Sequence, residues 1–187
     1  SLKLGDTFVK LAEKEKTESG DGTTIINYYL DAERNYGEAL KKDPKCAAAV
    51  YGMASANFES GRTGGKERAA ELVVQCLGID GDFAKAHALQ GYMLYLDGRE
   101  LAAQKKDGDA KQKYMAAGEK YALALKLGDD EVLDMVRYGH TLLAQGRLDE
   151  AKAAYLAALQ RHPESNVPVL SGLYHVANRG ETKPSWT

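Results

Sequence analysis

The chain has 187 residues, 44% of them hydrophobic and 28% charged, and carries a formal net charge of −2. That length suits one compact domain or one short array of repeats, and the balanced charge leaves no global nucleic-acid footprint. No apolar run approaches a membrane span, and two cysteines, Cys46 and Cys76, are too few for a disulfide framework or a zinc site.

In chain order, SLKLGDTFVKLAEKEK is amphipathic rather than signal-like. Ser1 stands where an initiator Met would, which fits processing or a longer parent chain. Gly5 lies in a small slot and Phe8 on the packed face of a first helix. TESGDGTT (17–24) predicts a turn, and TTIINYYLDAERNYGEAL a long second helix stopped by Pro44. AAAVYGMASANFESG (47–61) and AAELVVQCLGIDG (69–81) predict a shorter pair. AKAHALQGYMLYLDG (84–98) and AGEKYALALKLGD (117–129) form a third, and VLDMVRYGHTLLAQG (132–146) with AKAAYLAALQRHP (151–163) a fourth. The second helices share a small–large–small stripe: Ala32/Tyr36/Ala39, Ala69/Val73/Cys76, Ala117/Tyr121/Ala124 and Ala151/Tyr155/Ala158. Spacings of four and three put each triplet on one helix face. The first helices carry their own small slot, at Ala54, Gly91 and Gly139, and each is expected to end in a glycine, Gly61, Gly98 and Gly146. Gly inside a helix costs roughly 0.5–1 kcal/mol against Ala, so Gly91 predicts a close helix approach.

This register resembles the tetratricopeptide repeat family, built from antiparallel helix pairs of about 34 residues. The best unit is VLDMVRYGHTLLAQGRLDEAKAAYLAALQRHP, with Tyr138-Gly139, Leu142, Gly146, Ala151, Tyr155, Ala158 and Pro163 at the family's positions. His87, Gln90 and Asn57 depart from it. The resemblance implies an all-α fold: a right-handed superhelical array of about four hairpins plus a capping helix. The expected division is 1–44, 45–81, 82–129, 130–163, a cap over 164–179 and a tail over 180–187. Val169, Leu170, Leu173 and Val176 are expected to close the last apolar face, and Trp186 lies in the tail.

The first and third units are stretched. Nineteen residues separate Gly98 from Ala117, against five from Gly146 to Ala151. The insert is helix-forming except at Asp107-Gly108-Asp109, so two lengthened helices are expected to meet there. Ile25, Ile26, Tyr29 and Met115 are expected to help the long hairpins pack.

Catalytic chemistry finds no support. His87, His140, His162 and His175 pair with no Cys or carboxylate at metal-ligand spacing. GIDGDF and KDGDAKQ lack the alternating ligands of a calcium loop, and RTGGKERAA lacks a phosphate loop's strand and spacing. No enzyme activity, metal or cofactor is expected. Cys46 and Cys76 are expected to be small core residues, with one disulfide or a reactive thiol as alternatives.

In the family, the first helices line a concave groove. The expected groove positions are Tyr51, Ser55 and Phe58, then Lys85, Tyr92 and Tyr95, then Leu133, His140 and Leu143, with Arg137 adding polar specificity beside Lys85 and His140. Tyr and Phe give large contact area at low entropic cost. The implied partner is a short apolar peptide or helix of another protein; filling by the terminal helix or a second copy of the chain is the competing reading, with the long hairpins as a self-association edge. Family members that hold chaperone-tail carboxylates use Lys, Asn and Arg at set places. Here these read Leu2, Asp6, Gly52, Lys85 and Leu89, and only Lys85 fits, so that mode is not expected. No nucleic acid partner is expected. A soluble location follows from this reading, with the cytoplasm favoured over the periplasm or cell envelope.

Overall fold

The computed structural model describes residues 1–164 and 166–181. Nine helices run through the described residues: α1 (Leu2–Glu18), α2 (Gly22–Lys42), α3 (Ala47–Glu59), α4 (Gly65–Ile79), α5 (Ala84–Ala103), α6 (Asp107–Lys126), α7 (Val132–Ala144), α8 (Leu148–Arg161) and α9 (Asn166–Glu181). They form two compact units, Ser1–Leu89 and Gln90–Thr187.

In the first unit α1 packs on α2, α2 on α3 and α3 on α4. Asp21 caps α2 by accepting from the Thr23 and Thr24 amides, at 3.4 and 3.1 Å, so TESGDGTT turns where its polar residues satisfy orphan helix donors. Tyr36 fills the space between three helices. A Cβ added at Gly5 of α1 would lie 2.5 Å from its ring, and one at Gly52 of α3 also 2.5 Å. Its hydroxyl donates to Asp6 Oδ1 at 2.8 Å. Burial, then the neighbouring Asp6 charge, push the phenol's pKa up. Ala12, Tyr29 and Ala32 complete this core, with Phe8 and Ile25 packed against it.

Of the departures from the family pattern, His87 and Asn57 have polar partners, while the Gln90 side-chain oxygen is buried without one among the described residues. Buried His87 bonds the Gly81 carbonyl through Nε2 at 2.9 Å. Asn57 donates to the Met53 carbonyl and accepts from Arg62, which also pairs with Glu33 at 2.8 Å. Cys46 and Cys76 are both free thiols. Cys76 is buried in α4, and burial pushes its pKa up to about 11, so it stays protonated and unreactive at neutral pH.

In the second unit Tyr155 of α8 repeats the arrangement of Tyr36. A Cβ at Gly139 of α7, or at Gly172 of α9, would sit 2.4 Å from its ring. Tyr121 of α6 lies against Gly91 of α5 in the same manner, at 3.1 Å. Met135, Leu142, Ala151, Ala158 and Val169 surround Tyr155 in a continuous core.

Helix lengths separate the pairs. α1 and α2 have 17 and 21 residues, and α5 and α6 have 20 each. The helices of the other two pairs, α3, α4, α7 and α8, have 13 to 15. At about 1.5 Å per residue, the long helices outreach the short ones by one to two turns.

Four expectations are corrected. The turn after α5 falls at 104–106, not at Asp107-Gly108-Asp109. Lys105 takes a left-handed φ of 58°, while its amide donates to Ala102 O and that of Lys106 to Leu101 O, both at 2.9 Å. These two bonds close a helix end. Asp107 and Asp109 then occupy the first turn of α6, where carboxylates meet the positive end of the helix dipole. Gly98 does not end α5. It lies within the helix, beneath Tyr114, whose ring would be 2.7 Å from an added Cβ. In α9, Val169 is buried and Leu173 and Val176 pack on the core, but Leu170 is 52% exposed; one residue on from Val169, it is rotated about 100° off their stripe. Met115 is 51% exposed, whereas Tyr29 is wholly buried. Trp186 and the rest of 182–187 lie outside the described residues.

Gly139→Ala is expected to destabilise the protein in urea unfolding, because overpacking against Tyr155 costs about 1–3 kcal/mol and outweighs a helix-propensity gain of about 1 kcal/mol. Gly37→Ala, with nothing within 4 Å of the new Cβ, is expected to stabilise it by about 0.5–1 kcal/mol. A midpoint for Gly139→Ala at or above that of the native chain would remove the ring-on-glycine account. Lys105→Gly is expected to stabilise by about 1 kcal/mol, since Gly relieves the left-handed strain; a lower unfolding midpoint would contradict it.

Candidate functional site

α5, α6, α7 and α9 of the second unit enclose an open cavity of about 520 Å³. Its wall is built from stripes at helical spacing. Tyr92, Tyr95 and Arg99 lie along α5 at steps of three and four, and Arg137, His140 and Ala144 along α7 at the same steps. Leu143, Tyr114 and His175 complete it. The regular 3.6-residue turn therefore presents Tyr92, Tyr95 and Arg99 from one helix toward Arg137 and His140 from another.

Most of these side chains are held by neighbours. The Arg137 guanidinium stands 3.9 Å from the centre of the Tyr92 ring, a cation–π distance, and donates to Asp134 at 2.8 Å. Burial alone would lower its pKa, but the Asp134 carboxylate outweighs this, and the group stays charged. Tyr95 and Tyr114 pack with ring centroids 5.7 Å apart. Tyr114 rests on Gly98, and its backbone carbonyl accepts from Gln145 Nε2 at 2.7 Å. His140 Nδ1 shares a hydrogen bond of 2.7 Å with the Tyr155 hydroxyl. Burial, then the positive fields of His175 and Arg99, hold the His140 pKa below its ordinary 6.5.

The cavity brings together five of the residues expected to line a groove: Tyr92, Tyr95, Arg137, His140 and Leu143. Leu133 is 54% exposed on α7, one turn before Arg137, and does not reach the wall. Tyr51, Ser55 and Phe58 are half-buried on α3 of the first unit, where Tyr51 packs on Phe83 at 5.3 Å between centroids. Lys85 is exposed at the start of α5, also in the first unit. Ala88 and Val136, one helical turn before Tyr92 and His140, are buried.

Solved structures match nearly the whole chain. A structure of MamA, the RS-1 ArsTM double mutant, aligns with a TM-score of 0.54 at 13% identity, covering 97% of this chain and 97% of that one. MamA MSR-1 C2 aligns at 0.56 and 16% identity, over 96% of this chain and 88% of its own. TTC0263, a thermophilic tetratricopeptide protein of Thermus thermophilus, aligns at 0.58 and 17% identity, over 94% and 97%. The chain has the tetratricopeptide-repeat fold. At these identities the likeness is one of fold. No protein-family model and no curated protein matches the sequence.

Within this tetratricopeptide-type arrangement, Arg99, Tyr114 and His175 are site residues that the sequence does not mark. Arg99 continues the Tyr92/Tyr95 stripe by one step of four, and is hidden when Gly98 is read as the end of the helix. Tyr114 belongs to a second helix, which the repeat pattern assigns to the outer side. His175 belongs to α9, which its place at the end of the array marks only as a cap. Among the described residues, no group of three or more His, Cys, Asp or Glu is placed to hold a metal. No helix among them is long and apolar enough to cross a membrane.

The depressed His140 pKa has a pH consequence. The unfolded chain binds the proton more tightly, so folding stability rises with pH across this titration. His140's share is present above about 6.5, the unfolded value, and is lost as pH falls below it. Urea midpoints measured from pH 7.5 down to pH 5.5 should therefore fall more steeply for the native chain than for His140→Gln. Parallel curves would remove His140 from the account.

Proposed function

We propose that this chain is a protein-interaction module, an adaptor or scaffold, that grips a segment of a partner protein in the cavity of its second unit. One observation carries this reading: Tyr92, Tyr95 and Leu143 present apolar surface beside Arg137 and His140 at the rim of one open cavity. Its volume lies in the roughly 300–1,000 Å³ range of ligand pockets, enough for a short stretch of side chains. Tyrosine and arginine are the residue types that dominate interface energetics. The Arg137–Tyr92 and His140–Tyr155 contacts hold polar and aromatic groups in place before binding, which lowers the entropic cost of association. The division into repeats ending at 44, 81, 129 and 163 belongs to this reading. So do Tyr51, Ser55, Phe58 and Lys85 as a second stretch of contact surface in the first unit.

The long hairpins favour a second reading, self-association. Leu4 and Leu11 on α1 and Met115 on α6 are exposed hydrophobics on lengthened helices. Light scattering over a range of concentrations separates the two readings: a constant monomer mass removes self-association.

Tyr92→Ala tests the first reading. Peptides selected from a random display library on the native chain should bind Tyr92→Ala at least fivefold more weakly, about 1 kcal/mol. The circular dichroism and unfolding midpoint of the variant should show it folded. Equal affinity for the two proteins would move the site away from this cavity.

A further inference from the structure

The fixed charges on the cavity wall are of one sign, those of Arg99 and Arg137. Arg99, Arg137, His140 and His175 line it, and no Asp or Glu does so among the described residues. Of the acidic groups beside them on the same helices, Asp134 pairs with Arg137 at 2.8 Å and Asp97 with Lys113 at 3.3 Å, while Glu100, next to Arg99, accepts from Gln104 at 3.4 Å. No ion pair engages Arg99 among the described residues, and it is exposed on α5. The whole chain is slightly acidic, at −2, so this positive patch is local and not a reflection of bulk composition. His140 registers it directly, since the charges of His175 and Arg99 add to burial in disfavouring its protonation.

We infer that the cavity takes an acidic side chain, Glu or Asp, from within an otherwise apolar segment of a partner protein, its carboxylate between Arg99, His140 and His175 and its flanking residues on Tyr92, Tyr95 and Leu143. This rests on the interaction-module reading above and adds the chemistry of the anchor. Two features argue for an internal acidic residue over a free small anion. The cavity is far larger than a carboxylate, and five of its nine lining residues are aromatic or aliphatic, which matches an acid set among apolar neighbours. A carboxylate here meets the Arg99 guanidinium, which no ion pair engages among the described residues, with the imidazoles of His140 and His175 beside it, and charge-assisted bonds to Arg are about twice as strong as neutral ones. Arg99 and Tyr114 belong to the lengthened α5–α6 hairpin, so the anchor site depends on the extra turns of this pair. It uses none of Leu2, Asp6, Gly52, Lys85 and Leu89.

The test selects a random twelve-residue display library on the full chain. Representative peptides are then synthesised with acetylated and amidated ends and measured by calorimetry. Enriched sequences should share one Asp or Glu flanked by apolar residues. Replacing that acid by its amide should weaken binding at least tenfold. Arg99→Gln should weaken the acidic peptide at least fivefold and leave the amide version unchanged. Free glutamate and inorganic phosphate should not compete at millimolar concentration. Enriched peptides that need Tyr92 but show no acidic preference, or an Arg99→Gln variant that binds as the native chain does, would overturn the anchor and leave the interaction reading standing. Enrichment that is indifferent to Tyr92→Ala would overturn both. Competition by free glutamate or phosphate would replace the peptide by a small anion.

Discussion

The structure depends on a ring placed where only a missing side chain makes room. Tyr36 lies between Gly5 and Gly52, and Tyr155 between Gly139 and Gly172, so each ring touches two further helices besides its own. Three helices are thereby brought to the spacing of a single aromatic thickness. A helix with a glycine at its centre loses propensity, and the lost stability is regained by burying a whole phenol ring against bare backbone. Where the second helix carries Val73 in place of the tyrosine, the first carries Ala54 in place of the glycine. The volume removed on one side tracks the volume added on the other, as close packing demands.

This constraint also positions the cavity. Tyr121 on Gly91 and Tyr114 on Gly98 set α6 against α5 at two levels. With α5 fixed in this way, Tyr92, Tyr95 and Arg99 emerge along one stripe beside the packed one. Tyr155 does the same for α7 and α9, and its hydroxyl reaches out of the core to orient His140. The same ring therefore belongs to the core by its face and to the site by its oxygen.

The fold was largely legible because the signal is local and repeated. The triplets Ala32/Tyr36/Ala39 and Ala151/Tyr155/Ala158 and the slots Gly5, Gly91 and Gly139 state the helix spacing without any long-range information. Gly98 shows the limit. A glycine beneath a ring and a glycine ending a helix look identical in a sequence, and only Tyr114, sixteen residues on, decides between them. The turn before α6 fell at Lys105 because two carboxylates are better placed inside the first turn of a helix than outside it, a preference that outweighed the turn tendency of Asp-Gly-Asp. The site was half legible. Stripe arithmetic along α5 and α7 found the tyrosines and His140, whereas Tyr114 and His175 arrive from helices whose phase relative to α5 is set by packing alone. Leu133 failed for a simpler reason: it lies a turn too early on α7 to reach the wall.

α9 serves both the core and the cavity of the second unit. Gly172 covers one face of the Tyr155 ring, and His175, three residues on, stands in the cavity wall. A shortened chain lacking α9 would leave that ring wet on one side and the cavity open at one end. Docking α9 on the core and completing the cavity wall are thus done by the same helix. Any molecule that engages His175 adds its binding energy to the docking of this last helix, so fraying of the C-terminal end, followed by amide exchange, reports directly on occupancy.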